Sequence, residues 1–152
     1  MVEAVALRGR ENPGVEGPVA WAGVAYDGNL GSIGNARQFV TGFLTQLHQE
    51  HRIEVCALAV GVAELVVSEL VTNVCKYAPG PCVVNVEVAD RVLAITVWDT
   101  NPALPVVCVS DPGRIGGHGL ELVTVMCEGV EARREPIGKR IKARVSLEPA
   151  FG

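Results

Sequence analysis

The chain has 152 residues, of which 49% are apolar and 20% charged, and a formal charge of −4. That suits one domain with a real core and excludes an intrinsically disordered chain. The acidic balance gives no reason to expect nucleic acid or an anionic membrane as a partner.

Residues 8–18 hold three glycines and two prolines and form no periodic pattern, so 1–18 reads as a flexible lead-in. Residues 19–148 read as one domain, and 149–152 as a C-terminal tail. Val19–Tyr26 reads as a strand, and Asp27-Gly28-Asn29 then turns the chain. Ser32 is expected to cap a helix from about Ile33 to His48, with Ile33, Ala36, Val40, Phe43, Leu44 and Leu47 as its apolar stripe. A second helix is expected from about Glu54 to Tyr77, stopped by Pro79-Gly80-Pro81.

The period then changes from helical to twofold. Val84, Val86 and Val88 alternate with Asn85 and Glu87, and Leu93, Ile95 and Val97 follow the same rule after a turn at Ala89-Asp90-Arg91. Residues 99–119 are rich in proline and glycine and form a long connection of the kind that serves as a lid or binding loop. A short helix is expected over Leu120–Cys127, then strands near Gly129–Arg134 and Arg140–Leu147. Helices early and antiparallel strands late predict an α+β two-layer sandwich, its sheet mixed but mostly antiparallel and its helices on one face.

The five cysteines are widely spaced and read mainly as small core residues. The three histidines are too few and scattered to define a metal site. No run approaches ~20 uninterrupted apolar residues, the length a membrane crossing needs. The best, Val55–Val67, contains Glu64. The N-terminus has no clear hydrophobic run followed by a small-residue cleavage site, so a cytoplasmic protein is expected.

Three features point to chemistry. Glu69 and Asn73 lie one turn apart on the long second helix, on a side shared with Leu58, Val62, Leu65 and Val66. Two polar groups on an apolar surface cost energy unless something satisfies them. An amide oxygen suits Mg²⁺, and a glutamate one turn away could take a proton from an attacking hydroxyl. An internal hydrogen-bonded pair explains them equally simply. Gly113, Gly116, Gly117 and Gly119 lie just before the Leu120 helix, where backbone N–H groups and the helix dipole favour phosphate. A plain turn is the alternative. Asp99 ends an apolar strand, where it could accept a hydrogen bond from an exocyclic amine or simply serve a turn. Together the three could line one cleft.

Their order resembles the GHKL superfamily of ATPases and kinases. Glu69-Leu70-Val71-Thr72-Asn73-Val74-Cys75-Lys76-Tyr77-Ala78 is similar to the asparagine-bearing helix of its anti-sigma-factor serine/threonine kinase branch. Gly117-His118-Gly119-Leu120-Glu121-Leu122-Val123 resembles the second glycine motif. Asn35-Ala36-Arg37-Gln38-Phe39-Val40 looks like the first helix of small actinobacterial members. The resemblance implies a Bergerat-type ATP-binding fold with ATP and Mg²⁺ as cofactors. It makes Asn73 the Mg²⁺ ligand and Glu69 the general base. It gives the adenine amino group to Asp99 and assigns Gly117, His118, Gly119 and Leu120 to the nucleotide site. Lys76 is near the same helical face and would help neutralise phosphate, its ordinary role being solubility.

The implied function is a regulatory kinase that phosphorylates a small antagonist protein, with a sigma factor as a second partner. A non-catalytic nucleotide-binding or protein-binding module is the alternative. The run Asp99-Thr100-Asn101-Pro102-Ala103-Leu104-Pro105 lacks the glycines that usually follow the family's aspartate, and Tyr77 stands where a histidine is common. No phosphorylatable-histidine helix or transducer domain is expected, and a homodimer is left open.

Overall fold

Period-two alternation builds the centre of the molecule. In the computed structural model, which describes residues 3–7, 20–100, 123 and 126–148, β3 (Cys82–Ala89) and β4 (Val92–Asp99) pair in strict antiparallel register from Cys82↔Asp99 to Ala89↔Val92. Asp90 and Arg91 form the two-residue turn, both at positive φ (53° and 60°). That turn twists in the sense the two strands need.

Around this hairpin lie β1 (Glu3–Leu7), β2 (Ala20–Tyr26), β5 (Gly129–Arg134) and β6 (Lys139–Ser146). The strand order is β1-β2-β3-β4-β6-β5, and every pairing among the described residues is antiparallel. Among the described residues the sheet is therefore antiparallel throughout rather than mixed. β3–β4 and β5–β6 are joined by short turns that reverse the chain, and β2 and β3, though joined through both helices, also pair antiparallel. β1 is a strand that the sequence did not mark. It pairs from Glu3↔Ala25 to Leu7↔Trp21 within the stretch expected to be a flexible lead-in. The rest of that lead-in, 1–2 and 8–18, lies outside the described residues, as do Val19 and the expected tail 149–152.

Both long helices cover one face. Val24, Val84, Val86, Val88, Leu93, Ile95, Val97, Ile141, Ala143 and Val145 point into the core they share with the helices. Each large side chain so buried contributes about 1.5–3 kcal/mol relative to exposure. α1 runs over Gly31–His51 and buries Ala36, Val40, Phe43, Leu44 and Leu47, which confirms the apolar stripe. Ser32 does not cap it. Leu30 occupies the cap without a side-chain bond, and Ser32 lies inside the first turn, buried, with its N–H donating to Asn29 O at 2.9 Å. Arg52, at φ 56°, ends the helix in the left-handed conformation.

α2 runs over Ala57–Tyr77, starting three residues later than the sequence indicates. Cys56 is extended, and its N–H donates to Leu147 O at 3.3 Å. This tether pins the start of α2 to the far end of β6. By length and hydropathy α2 resembles a membrane-crossing helix. Its Val62, Val66, Val67, Leu70, Val71 and Val74 are buried in the core, which accounts for that apolarity. Val123 and Met126 are helical, and Cys127 N–H donates to Val123 O at 3.0 Å, consistent with the end of the expected short helix.

Candidate functional site

The tether at Cys56 decides where the polar residues of α2 lie. The helix starts at the Val92/Ser146 end of the sheet and runs the same way as β4. From Ala57 to Asn73 a helix advances about 24 Å, and from Val92 to Asp99 a strand advances about 23 Å. These equal advances carry the Asn73 end of α2 toward the Asp99 end of β4. Cys75, one turn from the helix end, donates its Sγ–H to Asn29 O at 3.3 Å, tying this end of α2 to the β2–α1 turn. Cys82 faces Asp99 across the β3–β4 ladder. Burial pushes its thiol up to about 11, with nearby Cys75 and the Asp99 carboxylate adding to the shift.

Glu69 and Asn73 stand on the flank of α2 opposite α1. The α1 side is marked by Glu64, whose Oε2 accepts from Thr41 Oγ1 at 2.8 Å. At 100° per residue Glu69 lies roughly 140° around the helix from Glu64. On that same flank Leu58 and Val62 border a groove of about 400 Å³ that also includes Met126 and Cys127. Glu69 and Asn73 continue the stripe toward the Asp99 end. The apolar surface expected around them is there in part: Val62 and Val66 are buried and Leu65 half-buried, whereas Leu58 is exposed.

Glu69 and Asn73 are both half-buried. The Asn73 Nδ2 atom is fully buried and has no hydrogen-bond partner among the described residues. Leaving a buried donor unmatched costs about 1–3 kcal/mol. An internally satisfied Glu69–Asn73 pair, the alternative explanation of the sequence, does not account for that atom. Its N–H would suit an anionic oxygen, while the carbonyl oxygen of the same amide remains a hard ligand for a cation. The residues present thus fit a triphosphate with its metal. Lys76 is exposed near the end of the same helix.

Asp99 is buried at the end of β4, and its Oδ2 accepts from Lys139 Nζ at 2.8 Å. Both side chains are nearly inaccessible, at 2% and 7% exposure. Lys139 opens β6 directly opposite Asp99 in the ladder. Sequence reasoning missed Lys139, assigning it to the connection after Glu135. Alternation could have found it, because Lys139 is in phase with Ile141, Ala143 and Val145, all on the core face. Gly113, Gly116, Gly117, His118, Gly119 and Leu120 lie outside the described residues.

The described cysteines, Cys56, Cys75, Cys82 and Cys127, are all free thiols. Cys82 is buried, and the other three pack against the core. Among the described residues no three His, Cys, Asp or Glu side chains converge as a metal cluster. Divalent-cation binding here would draw on Asn73 and the ligand's own oxygens.

A polar flank of α2 and a buried strand-end aspartate thus belong to one two-layer sandwich. The sequence profile of the histidine kinase-like ATPase domain matches residues 28–145. This is well over half of the chain, and the protein belongs to that family. A solved histidine kinase domain, from the blue-light activated histidine kinase EL346 of Erythrobacter litoralis, is 24% identical, with a TM-score of 0.44. The match covers 59% of this chain and 45% of that one. No curated protein matches. Family membership supports ATP binding.

Proposed function

We propose that this protein is an ATP-binding regulatory kinase of the anti-sigma-factor type, which phosphorylates a serine or threonine of a small antagonist protein. The observation that carries the reading is the buried amide of Asn73, unmatched among the described residues and one helical turn from Glu69. Asn73 would hold Mg²⁺, which when bound neutralises the phosphate charge and fixes the triphosphate. Asp99 accepts from the adenine amino group, and Gly117, His118, Gly119 and Leu120 supply contacts along the phosphates. Lys76, at the exposed end of α2, adds positive charge nearby. Glu69 takes the proton of the attacking hydroxyl as its oxygen bonds to the γ-phosphorus and ADP leaves. Catalysis of this kind depends on positioning and charge stabilisation.

The antagonist, a sigma factor as second partner, pairing into a homodimer and a cytoplasmic setting all belong to this proposal. Titration calorimetry with ATP, with and without Mg²⁺, and transfer from labelled ATP to candidate antagonists test it. Glu69→Gln should keep nucleotide binding and lose transfer. Asn73→Ala should lose the Mg²⁺-dependent part of binding. Undiminished transfer by Glu69→Gln would remove the base assignment.

A second reading, a nucleotide-binding module without turnover, is favoured by the Asp99–Lys139 ion pair and by the absence of glycine between Asp99 and Pro105. Under that reading calorimetry shows ATP binding while no antagonist is labelled.

A further inference from the structure

Lys139 brings a surplus of hydrogen-bond donors to a buried place. An ammonium group has three N–H bonds and no acceptor. One N–H is used by Asp99 Oδ2 at 2.8 Å, and the side chain is only 7% exposed. Asp99 is the sole acceptor for this ammonium among the described residues. Burying an ion pair is recovered in energy only when the remaining protons and lone pairs are also satisfied. Something that accepts hydrogen bonds is therefore the natural companion of Lys139.

The neighbouring carboxylate narrows what that companion is. Asp99 presents acceptors and Lys139 presents donors, side by side at one end of β4 and β6. A 6-aminopurine has the complementary edge: an amino donor flanked by unprotonated ring nitrogens that only accept. A carboxylate has about four lone-pair sites, so accepting from Lys139 does not prevent it from accepting from the amino group as well.

We propose that Lys139 is a base-reading residue, whose ammonium, held on Asp99, donates to a ring nitrogen beside the adenine amino group. This inference rests on the ATP-binding reading above and adds a second, direct determinant of base identity. Asp99 reads the amino donor, and Lys139 reads the adjacent acceptor. The pairing also explains how the site manages without glycines after Asp99. The base is selected from the β6 side by a charged donor and needs no adaptable backbone there.

The test is a binding cycle. ATP, 1-deaza-ATP and 7-deaza-ATP are titrated by calorimetry into the wild-type protein and into Lys139→Met. The wild type should bind ATP about tenfold more tightly than one of the two deaza analogues, roughly the contribution of one charge-assisted hydrogen bond. Lys139→Met should bind ATP about as weakly as that analogue and no longer distinguish the two. Lys139→Met leaves Asp99 buried without its cation, so the same titrations are run in Asp99→Asn/Lys139→Met. That variant carries no buried charge and keeps an acceptor for the amino group. Persistent discrimination against the deaza analogue in either variant overturns the inference, as does equal wild-type affinity for all three nucleotides. If the wild type binds none of them, the ATP-binding reading itself falls, and Lys139 falls with it.

Discussion

Gly138 is pressed onto the carbonyl of Asp99: a Cβ built on it would lie 1.7 Å from that oxygen, and its φ of +81° is one that L residues rarely adopt. The turn before β6 thus closes directly over the end of β4. Lys139, the next residue, is delivered opposite Asp99 by this contact.

Gly138→Ala combines left-handed strain with a clash against backbone, which cannot rotate away. The expected loss is about 2 kcal/mol or more in urea unfolding. Gly34→Ala is the control. Gly34 is an exposed helical residue with nothing within 4 Å of a built Cβ, so a gain of up to ~1 kcal/mol is expected. Equal effects at the two positions would mean that the Asp99 contact is absent.

The Asp99–Lys139 pair predicts strong non-additivity. Removing one partner takes the opposite charge from a buried ion, at a cost of about 3–5 kcal/mol. Asp99→Asn/Lys139→Met should be closer to the wild type than Lys139→Met is. Denaturant midpoints of the single and double variants measure the coupling. Simple addition of the two losses would show that the charges do not depend on each other.

Asn73 should be a position where stability is given up for binding. Its unmatched Nδ2 disfavours the folded protein, and alanine is the better helix former. Asn73→Ala is therefore expected to leave the melting temperature unchanged or raise stability by about 1 kcal/mol, while Mg²⁺-dependent nucleotide binding is lost. A marked drop in melting temperature would show that the amide is structural.

Alkali should weaken the fold before any exposed group explains it. Burial pushes the Cys82 and Cys127 thiols up to about 11, from a reference of 9.0. Burial, with Cys82 adding to it, pushes the Tyr26 phenol up to about 12, from 10.0. Between the two values of each group the folded chain keeps a proton that the unfolded chain has lost. Bound protons are then fewer in the unfolded state, so stability falls as pH rises. The contribution of the thiols is whole below pH 9 and is lost as pH passes about 11, with that of Tyr26 following toward 12. Unfolding free energies measured from pH 8 to 11.5 should show this slope, and Cys82→Ala should make it shallower. A flat profile in the wild type would refute the burial assignment.

Much of the architecture was readable because it is written in local periods. The Val84–Val88 and Leu93–Val97 alternations mark β3 and β4, and the stripe from Ala36 to Leu47 marks α1, since burial of one face demands those spacings. The pairing of Glu69 with Asn73 on one helix flank was readable for the same reason. The errors lie where the local pattern is short or shared with other structures. Ser32 resembles a cap but sits inside the helix, and Cys56 looks helical but is drawn out straight by its bond to Leu147 O. β1 has only five residues and acquires its order by pairing with β2.

By itself the sequence determined the two long helices, the strands from β2 to β6 and which polar groups interrupt an apolar face, because those depend on spacing along one segment. Only the tertiary structure decided that Asp99 meets Lys139 and that Asn73 keeps a buried N–H without a partner among the described residues. The physical reason is register. Asp99 and Lys139 are joined by a ladder between strands far apart in the chain, and hydrogen-bond satisfaction belongs to a whole neighbourhood rather than to any one stretch of residues.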